Sequence, residues 1–155
     1  MNTQQLSTGR FGQIEFSPED VITMMDGVLG FPDFRQYLIL QHKEGSPFRW
    51  LQSLDEPRLA FLVVDPCHFV ADYAPEMEIR HAQDLNLVEE TPRLVYTIVT
   101  IPQGKPEDLT LNLAGPIVIN AETRSAKQIV LEDPLYSIKF SPYAQATQSE
   151  ATRAA

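Results

Sequence analysis

The amino-acid sequence predicts a single, mainly β domain with only short helical turns. Twelve prolines are spread between short apolar segments, and proline interrupts both helices and central strands. No apolar pattern of helical period is longer than about two turns. The apolar runs are rich in β-branched residues, which favour strands. Because many short strands avoid open edges by closing up, we expect an antiparallel barrel-like or two-sheet arrangement.

The N-terminal half contains five predicted strands, each ended by glycine, proline or an acidic turn. The most apolar of them is LAFLVV, which lies between Pro57 and Pro66 and is too short for an independent helix. Trp50 is interpreted as a core or rim residue. The predicted strands are Gly9–Phe16, Val21–Met25, Tyr37–Leu40, Arg49–Ser53 and Leu59–Val64.

The C-terminal half contains the segment around which the sheet is predicted to form. Leucines alternate with polar residues in Leu109–Leu113, which is the pattern of a half-buried strand. Ile117–Ile119 and Ile129–Leu131 are apolar runs separated by a polar stretch, so we expect them to pair as a hairpin. The remaining predicted strands are Leu94–Ile101 and Ser137–Phe140.

Residues 65–90 differ from the rest of the chain because they hold seven carboxylates and one arginine, Arg80. Met77 and Ile79 alternate with Glu76 and Glu78, as in an edge strand whose carboxylates share one face. Ala82–Leu87 is predicted to form one or two helical turns.

Composition limits the possible functions. A chain of 155 residues that is 43% hydrophobic fits one domain, predicted over residues 1–143, with a flexible tail at 144–155. The net charge of -9 disfavours direct binding to nucleic acid and suits a basic protein partner. A single cysteine and no long apolar stretch predict a soluble cytoplasmic protein without a membrane span.

No catalytic residues, metal ligands or cofactor site are predicted. The sequence lacks a nucleophile elbow, a phosphate-binding glycine loop and a zinc-binding H-E-x-x-H motif. Cys67 and His68 are adjacent soft ligands, but neighbouring residues in an extended chain point to opposite faces. An enzyme stays an alternative if Cys67, His68 and a carboxylate converge in space.

Short motifs across most of the chain, from about Gly9 to Tyr143, resemble the flagellar assembly factor FliW family. Two positions depart from the family pattern, which commonly has proline at Leu29 and alanine at Gly115. The motifs, in order, are Gly27-Val-Leu-Gly30-Phe31, Leu51-Gln52-Ser53, Leu59-Ala-Phe61-Leu-Val-Val64 with Pro66, Asp72-Tyr73, Asn112-Leu113 with Pro116, Ile117-Val-Ile-Asn120, Gln128-Ile-Val-Leu131 and Tyr136.

The resemblance implies a non-enzymatic cytoplasmic protein, expected to be a monomer when free, that binds flagellin before export and also binds the translational regulator CsrA. The resemblance implies that unexported flagellin, while it is abundant, stays bound to this protein. Once flagellin is secreted, the freed protein captures CsrA and relieves repression of flagellin translation. A dedicated flagellin chaperone without CsrA regulation is the other alternative.

The acidic segment is the predicted CsrA contact, since RNA-binding regulators present basic surfaces. The resemblance favours docking beside the RNA site rather than in it. A face that merely keeps the protein soluble is the competing interpretation. The predicted partner-binding residues are Asp72, Tyr73, Glu76 and Glu78, with Glu89 and Glu90 as outlying contributors.

Overall fold

The computed structural model describes residues 3–143, which form ten strands, one α-helix and three 3-10 turns. The predicted tail at 144–155 lies outside the described residues. No helix within residues 3–143 is long and apolar enough to cross a membrane. The strands are β1 (Gln4–Thr8), β2 (Gly12–Phe16), β3 (Ile22–Met24), β4 (Gln36–Gln41), β5 (Phe48–Ser53), β6 (Ala60–Val64), β7 (Arg93–Thr100), β8 (Thr110–Leu111), β9 (Ile117–Asn120) and β10 (Ser125–Gln128). The helix is α1 (Ile79–Asp84), and the 3-10 turns are Pro18–Asp20, Pro66–His68 and Pro106–Asp108.

Seven strands close into a barrel in the order β6-β5-β4-β3-β10-β9-β7, and β7 pairs back onto β6. β8 continues the sheet from the end of β7, while β1 and β2 form a separate two-stranded ribbon. The predicted mainly β, barrel-like fold is therefore confirmed. One pairing differs from an antiparallel arrangement, because β3 and β10 run parallel. About a hundred residues separate these two strands along the chain, so no tight turn dictates their direction.

The barrel interior is a continuous ring of cross-strand apolar contacts. Successive side chains on a strand point to opposite faces, so each pair places one apolar side chain of each strand inside. All the pairs belong to one buried cluster that runs around the barrel. They are Ile22–Tyr37, Ile39–Leu51, Leu51–Phe61, Val63–Ile98, Tyr96–Ile117, Ile119–Ala126 and Ala126–Met24.

Two further apolar clusters cover the outside of the barrel. One surrounds Val64, Tyr73 and Leu111, where β8 and the segments around residues 69 and 136–140 pack on the sheet. The other surrounds Val118 and Ile129, which are covered by Leu85 and Leu87. The strands are therefore buried on both faces in these regions, which explains their continuous apolar runs.

Within the barrel and its N-terminal ribbon, the strands differ from the predicted ones at several places. β1 was not predicted because QQLST has a single apolar residue, and β1 pairs only with β2 in an exposed ribbon. The hairpin partner of β9 is Ser125–Gln128 rather than Ile129–Leu131, so the turn is shorter than expected. Ser137–Phe140 forms one bridge, between Phe140 and Leu111, in place of a strand.

The Gln128 side chain connects the two positions that depart from the family pattern. Its Oε1 accepts a hydrogen bond from the Leu29 backbone N–H at 2.7 Å, which a proline could not donate. Its Nε2 donates to the Gly115 carbonyl oxygen at 3.1 Å. A Cβ at position 115 would lie 2.8 Å from the Asn112 Nδ2 and 3.1 Å from the Gln128 Nε2. Both departures are therefore compatible with this placement of Gln128.

Replacement of Ile119 by alanine tests the interior ring. Ile119 is fully buried, so the I119A variant should lose about 2 to 5 kcal/mol of unfolding free energy through the cavity that it leaves. Chemical denaturation monitored by circular dichroism measures the loss. Val130 is 61% exposed, and V130A is the matched control, expected to change stability by less than about 0.5 kcal/mol. Equal effects of the two substitutions would contradict the described core.

Candidate partner-binding surface

The predicted contact begins at a turn that anchors the acidic segment to the barrel. An Asp65 carboxylate oxygen accepts a hydrogen bond from the Cys67 N–H at 2.9 Å and caps the 3-10 turn. Farther along, the Tyr73 hydroxyl donates to the Leu113 carbonyl oxygen at 2.7 Å, and its ring packs edge-on against Tyr136. Burial raises the pKa of Tyr73. Tyr73 is thus a buried anchor, whereas Asp72 beside it is exposed.

Residues 74–78 then cross the outside of the barrel without a strand partner and lead into α1. The predicted edge strand at residues 76–79 is wrong. Of its two apolar side chains only Met77 is directed inward, where it packs on the outer cluster around Val118. Ile79 is the first helical residue and is 75% exposed. It lies about 200° around the helix from His81, which faces the barrel. A three-residue alternation does not distinguish a strand from an unpaired extended segment.

The short helix α1 is held against the barrel by two polar contacts. The Lys127 Nζ donates to the Asp84 Oδ2 at 2.9 Å, and this lysine is only 13% exposed. The Asn120 Nδ2 donates to the Leu85 carbonyl oxygen at 2.8 Å just beyond the helix. The Asn120 Oδ1 meanwhile accepts from the backbone of the turn between β9 and β10. The helix and that hairpin are therefore coupled through one buried amide.

Two pockets lie on either side of the extended segment. The first, about 200 Å³, is mainly apolar, and Arg93 lies at its edge. The second, about 230 Å³, is lined by four carboxylate residues, Glu76, Glu78, Glu132 and Asp133, together with His81. Pro75, Glu76, Ile129 and Leu131 line both. We call them the apolar pocket and the acidic pocket.

His81 is the buried polar residue of the acidic pocket. It is 6% exposed, and its Nδ1 has no hydrogen-bond partner in the part of the chain that the structure describes. Burial lowers the pKa of His81, and the positive charges of Lys127 and Arg80 lower it further. The negative charges of Glu78 and Asp84 raise it by a smaller amount. Because this pKa lies below 6.5, the imidazole is predominantly neutral at pH 7, and one ring nitrogen can then accept a hydrogen bond.

The structure brings together some of the predicted contact residues. Glu76 and Glu78 are both exposed and line the acidic pocket, although Glu78 also pairs with Arg80 at 2.9 Å. Asp72 lies in a neighbouring groove, and Glu89 and Glu90 are exposed in a turn that lines neither pocket. Sequence analysis missed Glu132, Asp133 and His81 as members of this surface. The acidic pair before Pro134 was a visible signal, but nothing local places it beside Glu76.

Cys67 and His68 contact different neighbours. The Cys67 thiol lies 3.5 Å from the Tyr73 carbonyl oxygen, and the His68 ring packs edge-on against Phe69. Cys67 is exposed, but desolvation by its surroundings and the negative charges of Asp65 and Asp72 raise the pKa of its thiol, which disfavours a reactive thiolate. Within residues 3–143, no group of three or more His, Cys, Asp or Glu side chains is arranged to hold a metal ion.

Comparison with known proteins gives a consistent result. Residues 5–142 match the sequence model of the FliW protein family. The chain is 43% identical to a flagellar assembly factor FliW of Magnetococcus marinus over 124 residues, covering 80% of this chain and 76% of that protein. It is 40% identical to a FliW of Thermoanaerobacter pseudethanolicus, covering 87% and 90%. A crystal structure of the flagellar assembly factor FliW superposes with a TM-score of 0.82 at 29% identity, covering 90% of this chain and 96% of that one.

The neutral state of His81 predicts a specific pH dependence of stability. The folded-state pKa lies below the ordinary value of 6.5, so the folded protein binds fewer protons and loses stability as pH falls below about 6.5. The pKa of Asp84 is also lowered, mainly by the hydrogen bond from Lys127. Protonation of this carboxylate therefore lowers stability only in more acidic solution, below the ordinary aspartate pKa of 3.8. Thermal unfolding of the wild type between pH 7.5 and pH 5.5 should show a falling midpoint, about 2 to 4 °C for each 1 kcal/mol lost.

The H81Q variant removes this titration and should flatten the fall relative to its own value at pH 7.5. Because His68 is exposed, H68Q serves as the control and should retain the slope of the wild type. A slope in H81Q as steep as that of the wild type would show that His81 is not the responsible group.

Proposed function

Since this chain belongs to the FliW family of flagellar assembly factors, we propose that it acts in the cytoplasm by binding flagellin and CsrA, without catalysing a reaction. The match extends over nearly the whole barrel. The observation that carries the CsrA contact is the exposed segment with Glu76 and Glu78, which stands between two pockets on an acidic protein. Such a surface suits a basic partner.

Charge distribution supports Glu76 as the centre of the contact. Within residues 3–143, Glu76 makes no ion pair, whereas the charge of Glu78 is partly compensated by Arg80. A basic regulator would therefore find uncompensated negative charge above a partly apolar floor. Binding beside the RNA site of CsrA would oppose RNA through the electrostatic field as well as through contact.

The regulatory consequence is a choice between two partners. While flagellin is present, it holds this protein and leaves CsrA free to repress translation. As flagellin is exported, the protein becomes available to CsrA. Such a switch requires that binding of one partner lowers the affinity for the other, and this coupling is reciprocal.

A flagellin chaperone without CsrA regulation is the second candidate function. A separate groove of about 630 Å³, which shares no residue with the other two pockets, supports a second and more apolar contact. Phe48, Trp50 and Leu62 line it. The half-buried Trp50 donates from its Nε1 to the His42 Nδ1 at 2.9 Å and lies beneath the Arg10 guanidinium. Of the two positions that the sequence analysis left open for it, core or rim, it therefore occupies the rim.

Charge reversal at the proposed contact distinguishes these functions. The variant E76K/E78K should bind CsrA with an association rate reduced about tenfold or more at low salt, and the difference should shrink as salt screens it. Flagellin binding should change much less, because we expect that contact to be more apolar. Stopped-flow kinetics with CsrA and calorimetric titration with flagellin give the two readouts.

Asp33 and Glu44 are exposed carboxylate residues that line neither the two pockets nor the separate groove, so D33K/E44K is the matched control for net charge. Circular dichroism verifies that each variant is folded. Unchanged CsrA binding by folded E76K/E78K would place the contact elsewhere, and a wild type that binds flagellin but not CsrA would favour the chaperone.

A further inference from the structure

We propose that the acidic and apolar pockets form one recognition site for an extended segment that carries a cationic side chain two residues away from an apolar one. The inference deepens the proposed function, since CsrA is the expected carrier of such a segment. Its chemical content, a basic group beside an apolar group, can nevertheless be tested without CsrA.

The acidic pocket is suited to an arginine or lysine side chain. Four carboxylates line it, and within residues 3–143 only Glu78 among them is paired with a cation. The lining also includes His81, which is more than nine-tenths buried and whose Nδ1 has no hydrogen-bond partner among the described residues. With the proton on Nε2, Nδ1 is an acceptor that lacks a donor, and a buried unsatisfied acceptor is unfavourable. A cationic side chain supplies both the missing donor and the compensating charge.

The apolar pocket has different chemistry. Met77, Val118 and Leu131 contribute to its walls, and Tyr73 forms part of its floor through a hydroxyl already bonded to Leu113. Arg93 lies at its edge, with its guanidinium held by the carbonyl oxygens of Thr91 and Val88. This fixed positive charge disfavours a second cation here. The partner's cation is thereby directed to the acidic pocket, and an aliphatic side chain to the apolar one.

The common walls explain why a single segment fills both pockets. Glu76 and Leu131 each line both, so the pockets are separated by the thickness of one side chain. In an extended peptide, side chains i and i+2 point to the same face, about 6.5 to 7 Å apart along the chain. Neighbouring pockets of opposite chemistry therefore fit a basic-x-apolar sequence in the partner.

The test uses the full chain and the tripeptide Ac-Arg-Ala-Leu-NH2, with Ac-Leu-Ala-Arg-NH2 for the opposite order. Nuclear magnetic resonance titration should show millimolar binding, with shifted amides among residues 74–81 and 129–133. Ac-Gln-Ala-Leu-NH2 lacks the cation and Ac-Arg-Ala-Ala-NH2 lacks the large apolar group, so each should bind more weakly. The E132Q/D133N variant should bind Ac-Arg-Ala-Leu-NH2 about tenfold more weakly than the wild type, because it lacks two of the carboxylates.

Asp133 also accepts the Leu135 N–H at 2.9 Å, a bond that asparagine can keep, so the variant should fold. The matched control D33N/E44Q, at exposed carboxylates outside both pockets, should bind like the wild type. Absence of shifts with either order of tripeptide, or equal binding by E132Q/D133N and the wild type, would overturn the site.

Measurement of CsrA binding by the same variants separates this inference from the proposed function. If CsrA responds to E76K/E78K but not to E132Q/D133N, and neither tripeptide binds, the function stands and the inference fails. If the tripeptide binds as expected while CsrA does not bind the wild type, the inference stands and the CsrA contact fails.

Discussion

Pairing of β7 with three partners is the constraint on which the rest of the fold depends. Its first half pairs with β9, its middle closes the barrel against β6, and its end pairs with β8. Only two residue pairs are in register at the closure, Val63 with Ile98 and Val64 with Thr97. The buried Thr97 hydroxyl donates to the Val64 carbonyl oxygen at 3.4 Å, so the seam leaves this hydroxyl satisfied. The two outer apolar clusters pack on the surface of the closed barrel, so they depend on this pairing of β7 with β6.

Much of the barrel could be predicted from sequence because its strands are locally marked. The strand Ile117–Asn120 is buried along its whole length, and its first three residues form a continuous apolar run. The hairpin partner of this strand was predicted too late in the sequence. Ile129 is apolar and buried but lies outside any strand, whereas the observed partner, Ser125–Gln128, is mixed in polarity. Strand pairing depends on hydrogen bonds, which polarity alone does not reveal. The parallel contact between β3 and β10 is likewise a product of barrel closure and has no local signature.

The candidate surface was predictable only where it is local in sequence. Glu76 and Glu78 are two residues apart, and the structure places them on one pocket. The other half of that pocket, Glu132 and Asp133, lies more than fifty residues farther along and arrives there through the segment without a strand partner that follows the β9–β10 hairpin. Sequence analysis assigned no role to His81, which is buried by the packing of α1 against the barrel. Long-range placement, rather than residue chemistry, is therefore why the predicted contact residues include only part of the lining of the acidic pocket.

The hydrogen bonds of Gln128 have a consequence for how this sequence can vary. One side chain serves Leu29 and Gly115, which lie on loops far apart in the chain. Proline at 29 removes a donor and leaves the Gln128 oxygen unpaired, while a methyl group at 115 crowds the Gln128 nitrogen. Substitutions at the three positions should therefore be non-additive. The losses of unfolding free energy from the single substitutions should sum to more than the loss from all three together. A lineage moving between this sequence and the common family pattern would tolerate the loop changes most readily after position 128 had itself changed.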